Sequence, residues 1–372
     1  MSALSRTSAA APVAAPHAST SGSVTAVMAT VMLALTPATL YGFWLYGWPS
    51  IYLWLITVAF AMLGEAVCLR LMERRAVPVL FDGSAMLTGW LLAVSLPPWA
   101  PWWIGALGGL FATMLCKQAF GGLGQNLFNP AMVARVALLI SFPVQMTAWV
   151  APLPIDMAAA PGPISGLLVT LKGIPQGLDA VSSASLLGFA KTEMSRGVDL
   201  LQSLPHAPSL SWLGSRPGSL GETASWLIAA GGLLLIVRRV ISWHIPVAML
   251  AGIAVPAALL HLVDPARYLD ATTHLLSGGA MLGAFFIATD YVTSPNTARG
   301  QLIFGAGCGV LTYVIRTWAG YPEGVAFAVL LMNSLTPIID RYVKPRVYGR
   351  DRQGVALDAP TMAARPIVGR EY

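Results

Sequence analysis

Charge is what this 372-residue sequence has least of: Asp, Glu, Lys and Arg together make up only 10% of it. A soluble domain carries about a quarter of its residues as charges. With 56% hydrophobic residues and a mean hydropathy of +0.68, the chain holds more apolar surface than one soluble core can hide. Lipid is therefore its expected solvent and membrane lipid its first partner. Cysteine is scarce as well. Cys68, Cys116 and Cys308 all sit inside apolar stretches with no Cys-x-x-Cys spacing, which argues against a disulfide framework or a conventional iron–sulfur or zinc site held by this chain alone. The net charge of +6 does not imply nucleic acid, because most basic residues fall at the ends of apolar segments. Residues 1–22, rich in Ala, Ser and Pro with Arg6 as the single charge, lack the basic start and apolar core of a signal peptide. They are predicted to be a disordered tail.

What the sequence does have is apolar runs of about 17 to 23 residues, the length a helix needs to cross roughly 30 Å of hydrocarbon. Hydropathy and chain breakers predict helices over 24–47, 50–70, 83–97, 101–119, 128–143, 222–239, 243–263, 275–291, 299–317 and 324–341. The expected fold class is an all-α integral membrane protein of about ten transmembrane helices. Residues 23–143 and 221–342 form its two membrane halves, 144–220 a connecting loop, and 1–22 and 343–372 the tails. Arg70, Arg74, Arg75, Lys117, Arg238, Arg239, Arg299, Arg341, Lys344, Arg346, Arg350 and Arg352 then all fall on the face that holds both termini. The positive-inside rule makes that face cytoplasmic and the 144–220 loop external. The opposite turn Leu96-Pro97-Pro98-Trp99-Ala100-Pro101 is uncharged and aromatic, as an outer interface should be.

An internal echo divides the chain. Ser84-Ala85-Met86-Leu87-Thr88-Gly89 opens the third segment, and Gly279-Ala280-Met281-Leu282-Gly283-Ala284 lies early in the eighth. Phe120-Gly121-Gly122 precedes the fifth much as Trp318-Ala319-Gly320 precedes the tenth. Two five-helix halves follow, and an odd number of spans per half makes them inverted repeats with a functional site expected near their shared midplane. The frequency of Gly and Ala in membrane helices is the plainer explanation of the echo.

Five places carry polar chemistry. In the external loop, Asp179-Ala180-Val181-Ser182-Ser183-Ala184-Ser185-Leu186 has the composition of a solvated turn. It also resembles the acceptor motif for covalent flavinylation: Asp179, then Ser182, the small Ala184 and a final hydroxyl at Ser185. A flavin transferase joins FMN through its phosphate to such a hydroxyl. Before the fifth helix, Gly121-Gly122-Leu123-Gly124-Gln125-Asn126-Leu127-Phe128-Asn129-Pro130-Ala131 offers backbone that a ligand can approach closely at Gly122 and Gly124. Asn126, Asn129 and Arg135 add donors near a helix N-terminus. A glycine turn that merely packs two helices is the competing explanation. Glu65 lies well inside the second helix, where an ionisable group costs roughly 2.5–3.5 kcal/mol to insert, so it is a candidate for an ion pathway or a partner such as Arg70. Asp290 closes the eighth segment as a second ion-pathway candidate. Arg316, near the outer end of the ninth helix, is placed to meet Glu323 or a flavin phosphate.

Taken in order, Gly-Gly-Leu-Gly-Gln-Asn-x-Phe-Asn-Pro-Ala from Gly121, Phe285-Phe286-Ile287-Ala288-Thr289-Asp290, and Gly320-Tyr321-Pro322-Glu323-Gly324-Val325-Ala326-Phe327-Ala328 resemble one family of membrane electron carriers. Gly221-Glu222-Thr223, Arg238-Arg239-Val240-Ile241-Ser242-Trp243-His244-Ile245-Pro246 and Pro345-Arg346-Val347-Tyr348-Gly349 extend the likeness over about residues 24–350. The family holds the D-type component (RnfD) of the Rnf electron-transport complexes, with the B-type component (NqrB) of the sodium-translocating NADH:quinone reductases as the near relative. The short N-terminal region and the wording of the motifs favour the Rnf branch. The resemblance implies a bacterial inner-membrane flavoprotein carrying covalent FMN as a phosphoester on Ser185 on the periplasmic side. It would relay electrons without an NADH site of its own, inside a complex that couples NADH and ferredoxin electron transfer to sodium or proton translocation. Its partners would be the other Rnf subunits, of the A, B, C, E and G types, and a flavin transferase for maturation. The Gly122, Asn126 and Asn129 cluster would contact riboflavin, a second flavin or a neighbouring subunit. Ser185 stands where Thr is usual, and Ser183 and Leu186 replace the commoner Gly and Pro, so Ser182 and Ser183 remain chemically competent hydroxyls. A secondary transporter without a redox group shares the inverted halves and the intramembrane Glu65. The hydroxyl loop separates the two classes.

Overall fold

The computed structural model describes residues 23–74, 79–173, 185–196, 200 and 217–345, and every regular element among them is helical. Helix α1 (Val24–Tyr46) starts where the Ser23 side chain accepts the Ala26 N–H at 3.1 Å. It stops at Gly47, whose φ of 69° is open to glycine and whose N–H closes on the Phe43 carbonyl. Helix α2 (Trp48–Leu71) departs from the same glycine with Pro49 in its first turn. At 1.5 Å per residue these helices of 23 and 24 residues are roughly 34 and 36 Å long.

Helices α3 (Ser84–Ser95), α4 (Trp102–Met114), a 3₁₀ turn (Gln118–Phe120) and α5 (Pro130–Ser141) complete the first half. The connecting region contains α6 (Pro143–Thr147), α7 (Pro163–Lys172) and α8 (Leu186–Ser195). The second half runs through α9 (Leu220–Thr223), α10 (Ser225–Val237), α11 (His244–Val263), α12 (Ala271–Leu276), α13 (Ala280–Leu282), α14 (Ala298–Trp318) and α15 (Val325–Tyr342). Helices α1, α2, α11 and α14 are long and apolar enough to cross a membrane. The other expected spans are shorter, broken or more polar. Helices α3, α5 and α10 have 12, 12 and 13 residues, about 18–20 Å of rise. Helix α15 has the length but carries Asn333, Ser334, Thr336, Asp340 and Arg341.

The eighth predicted segment, 275–291, departs most from a continuous helix. Gly278 takes a φ of 65° between α12 and α13, and α13 opens at once into a π-helical turn over Gly283–Ile287. The Ala288 N–H reaches back to the Gly283 carbonyl at 2.8 Å, the five-residue spacing that widens a helix.

Packing is densest where backbones meet. The most extensive contacts join α2 to α4 and α11 to α14, the second and fourth long segments of each half. A Cβ at Gly109 of α4 would lie 2.6 Å from the Thr57 carbonyl oxygen of α2, and one at Gly309 of α14 would lie 2.2 Å from that of Met249 in α11. Glycine at these positions lets the helices approach to backbone contact, the main attraction left between helices whose surroundings are as apolar as they are. One apolar cluster then unites both halves, with Trp90 and Leu92 of the first against Ile228, Phe285 and Phe286 of the second.

The connecting region is tied down at the end where α1 stops. The N–H groups of Leu153 and Ile155 donate to the Leu45 and Trp44 carbonyls at 3.0 and 2.9 Å, satisfying acceptors that the helix terminus leaves open. The Tyr52 hydroxyl donates to the Pro163 carbonyl at 3.2 Å. Helix α7 thereby sits on the start of α2.

Candidate functional site

At the opposite end, where α1 and α3 begin, a pocket opens that encloses about 760 Å³, its mouth included. The space inside it that a water-sized sphere can occupy is about 90 Å³. Both halves build it. Val31, Leu91, Leu235, Phe285 and Phe286 give it apolar walls, and Ser84, Lys117, Asn126, Asn129, Thr289 and Asp290 give it polar groups.

Asn129 stitches the halves together beside this pocket. Its side-chain oxygen caps α5 by accepting the Met132 N–H at 3.3 Å, with Pro130 set in the first helical turn. Its amide nitrogen donates to the Asp290 carboxylate at 3.4 Å. Its backbone N–H donates at 3.1 Å to the side-chain oxygen of Asn333, fully buried in α15, whose own amide nitrogen donates to the Thr293 and Val329 carbonyls. Asp290 also accepts the Val292 N–H at 3.2 Å and the Thr293 hydroxyl at 3.4 Å. Asn126 turns its amide to the Phe128 carbonyl at 3.0 Å, which shapes the loop before α5.

Behind the pocket wall lies an ion pair. Glu65, 0% exposed, receives the Lys117 ammonium at 2.7 and 3.0 Å and the Gln118 amide at 2.6 Å. The same ammonium donates to the Ser84 hydroxyl at 2.6 Å, and that hydroxyl donates to Asp82 at 2.5 Å. A charge buried this deeply needs a partner of opposite sign, and removing one partner typically costs about 3–5 kcal/mol. Lys117 belongs to the expected ring of solvated basic residues by sequence; the structure instead leaves it only 2% exposed. Arg70 is not the partner of Glu65.

The second half has a counterpart at the other end of the bundle. Arg316 in the last turn of α14 donates to the His274 and Ser277 carbonyls at 2.6 and 3.0 Å and to Glu323 at 3.1 and 3.3 Å. Glu323 in turn accepts the Gly279 and Val325 N–H groups at 2.9 and 3.2 Å. A smaller pocket beside Arg316 is lined by Leu187, Ala190, Lys191, Met194, Arg267, Tyr268, Leu269 and His274. Burial and the Arg316 guanidinium push His274 down to about 3, so its ring is neutral at pH 7. Burial also lowers Lys191, whose ammonium donates to the Arg316 and Tyr321 carbonyls at 3.2 and 3.0 Å.

Ser185 begins α8, the helix that contributes Leu187, Ala190 and Lys191 to this smaller pocket. Its hydroxyl oxygen accepts the Gly188 N–H at 3.2 Å, an N-cap. Asp179, Ser182 and Ala184 lie outside the described residues. Of the predicted site residues, Asn126, Asn129 and Asp290 come together at the large pocket. Glu65 reaches it through Lys117 and Ser84. Gly122 and Gly124 do not line it: both take positive φ, 101° and 88°, and shape the turn instead. Arg135 stands apart as well. Its guanidinium donates to the Ser95 carbonyl at the far end of α3 and lies 3.9 Å from Glu222. Sequence reasoning missed Ser84, Lys117, Gln118 and Asn333. An echo was there to find: Lys117, just past a glycine-rich fourth segment, and Arg316, in the last turn of another, each brace the start of the element that opens Ser84-Ala85-Met86 or Gly279-Ala280-Met281.

Comparison with known proteins places these features in a family. Residues 12–349 match the model of the NQR2, RnfD, RnfE family. A protein of Halorhodospira halophila, named as the D component of an ion-translocating oxidoreductase complex, is 53% identical over 347 residues, 93% of this chain and 97% of its own. Proteins of the same name from Stutzerimonas stutzeri and Rhodobacter capsulatus are 52% and 49% identical, covering 91% and 82% of this chain and 95% and 85% of theirs. The chain, with its glycine-packed helices, its pocket between halves and its two buried ion pairs, belongs to the NQR2, RnfD, RnfE family.

Proposed function

We propose that this chain is the D-type membrane component of an Rnf ion-translocating oxidoreductase complex, relaying electrons through FMN held covalently on Ser185. The observation that carries the proposal is the near full-length likeness to three proteins named as that component. The local chemistry agrees with it. Ser185 is a partly exposed hydroxyl at the first turn of α8, where free N–H groups and the helix dipole favour the negative charge of a phosphodiester. Lys191 of the same helix and Arg267 line the smaller pocket and would supply cations for its phosphate. When bound, the flavin supplies the one- and two-electron chemistry that no side chain of this chain offers. The larger pocket is suited to a second, noncovalent flavin, with Phe285 and Phe286 against a ring system and Asn126, Asn129 and Lys117 for its polar edge. A relay with one flavin at each end of the bundle moves electrons across the membrane while the complex moves sodium or protons.

The ten-span arrangement in two inverted halves belongs to the same proposal. It is supported by the repeated pairing of second with fourth segments and by the ion pairs at opposite ends of the bundle. Both termini are then cytoplasmic, the Ser185 loop periplasmic and the chain resident in the bacterial inner membrane. The other Rnf subunits are its partners and a flavin transferase matures it.

Flavin fluorescence on a denaturing gel, followed by mass analysis of the peptide spanning Asp179 to Ser185, tests the central claim. Expression with the transferase should add the mass of FMN to Ser185, and Ser185→Ala should abolish it. Covalent flavin that persists in Ser185→Ala would move the acceptor to Ser182 or Ser183. Absence of covalent flavin beside an active transferase would remove the outer relay altogether.

A further inference from the structure

Helix α7 has two unlike faces. Gly166, Val169 and Thr170 are buried, with Val169 in a small apolar cluster beside Trp99, Val150 and Leu153. A Cβ at Gly166 would lie 2.7 Å from the Trp48 Cβ, so α7 meets the first turn of α2 almost backbone to backbone. On the other side Ile164, Leu167, Leu168 and Leu171 are 79%, 40%, 45% and 49% exposed. At about 100° of turn per residue their spacing draws a single stripe, opposite the buried face. Exposed Ser165 and Lys172 share one edge between the two faces.

We infer that α7 is an interfacial membrane helix, its aliphatic stripe sunk among the acyl chains of the leaflet at the end of the bundle where α1 stops. Its position selects lipid as the occupant. The helix is fixed beside the turn between α1 and α2, the two adjoining helices long and apolar enough to cross a membrane. Aromatic side chains gather at that level: Trp44 is exposed, and Trp48 stacks at 6.0 Å on Tyr52, whose hydroxyl donates to the Pro163 carbonyl. Rings with one apolar and one wet end concentrate at the membrane boundary. The stripe matches the outward Leu40 of α1 and Leu55 of α2 in character. It consists of Leu and Ile alone, without the Trp, Tyr or Arg anchors that carry most binding energy between proteins. Lys172 on the edge can lay its stem along the apolar surface and bring its ammonium to headgroup phosphates. A polar edge suffices here, because the face opposite the lipid rests on protein. The consequence reaches α8. Lys191 ties that helix to the Arg316 and Tyr321 carbonyls of the bundle, while α7 ties the chain before it to lipid. The Ser185 hydroxyl is thereby kept at the membrane surface, whichever group it carries.

The test places the full-length chain, a single copy per nanodisc, in bilayers of phosphatidylethanolamine and phosphatidylglycerol. In a Cys68→Ser background, nitroxides are attached in turn at Ile164→Cys, Leu168→Cys, Leu171→Cys, Ser165→Cys and Lys172→Cys. Collisions with oxygen, which concentrates among acyl chains, are compared with collisions with a water-soluble nickel chelate. The ratio of oxygen to nickel collisions should be roughly fivefold or more higher at the three stripe positions than at the two edge positions. Hydroxyl-radical footprinting of the unsubstituted chain in the same discs needs no label, and it should leave Ile164, Leu167, Leu168 and Leu171 unoxidised. Nickel contact at the stripe equal to that at the edge, or oxidation of the stripe in the unsubstituted chain, shows a face turned to water and overturns the inference. A stripe shielded from oxygen and nickel alike is covered by protein instead of lipid, and overturns it as well.

Discussion

Glu65 and Lys117 carry the largest penalties expected of any single substitution. Glu65→Ala strands a buried ammonium, and the expected loss is about 3–5 kcal/mol of stability; paired replacement by Gln and Met should restore most of it, read by thermal unfolding in detergent. Asn129→Ala removes a helix cap, worth roughly 0.5–2 kcal/mol, and also takes a side-chain donor from the buried Asp290 carboxylate. It should therefore fall at or above the top of that range and lower noncovalent flavin retention. Asp270 supplies a pH dependence. Burial pushes its carboxyl up, but donors from Thr272 and Thr273 outweigh this and hold it below the ordinary aspartate value. A depressed folded-state value means that the cap on α12 stabilises fully above the unfolded-state value of about 3.9 and is lost as pH falls through the folded one. Asp270→Asn keeps an acceptor for Thr272 and Thr273, so the unfolding midpoint should lose part of its fall between about pH 5 and pH 2.

Between helices, stability depends on what is missing from side chains. Gly109→Ala and Gly309→Ala each press a methyl group into the backbone of the neighbouring helix, at 2.6 and 2.2 Å. The expected loss is about 1–3 kcal/mol apiece, whereas Gly124→Ala meets no atom within 4 Å and costs only its positive φ of 88°. Unfolding midpoints of the three variants should rank accordingly. These elements were also the most legible in the sequence. The apolar runs at 24–47, 50–70, 243–263 and 299–317 became α1, α2, α11 and α14 within one or two residues at most of their ends. The run at 275–291 did not become one helix, because hydropathy is blind to backbone geometry: Gly278 with positive φ and the π-helical turn cost no polar residue and leave no mark on an apolar average. The site divides in the same way. Asn126 and Asn129 announced themselves as polar residues beside glycine and proline, and Asp290 as the charge that closes an apolar run. Lys117 was hidden because a lysine at the end of an apolar run usually faces water, and only tertiary packing against Glu65 shows otherwise.

For the molecule as a whole, the proposed topology makes a direct expectation for chemical labelling. Cys116 and Cys308 are buried and Cys68 is partly so, so the native background should be low. Exposed Lys172 on α7 replaced by Cys should react with an impermeant maleimide in intact cells, and exposed Glu73 replaced by Cys only after the membrane is opened. Reaction of Glu73→Cys from outside would invert the assignment. The large pocket adds a property that belongs to neither half alone. Its walls come from α1, α3 and the α5 approach on one side and from α10 and the turns after α13 on the other. A molecule lodged there is a mechanical clasp as much as a redox group: pulling the halves apart means first letting go of the guest. Ligand at a hundred times its dissociation constant should hold the closed form by about 2.7 kcal/mol. If the pocket holds the flavin proposed above, a chain that lacks it should fail first at the seam between halves, and cofactor supply would then set how long the protein survives in the membrane.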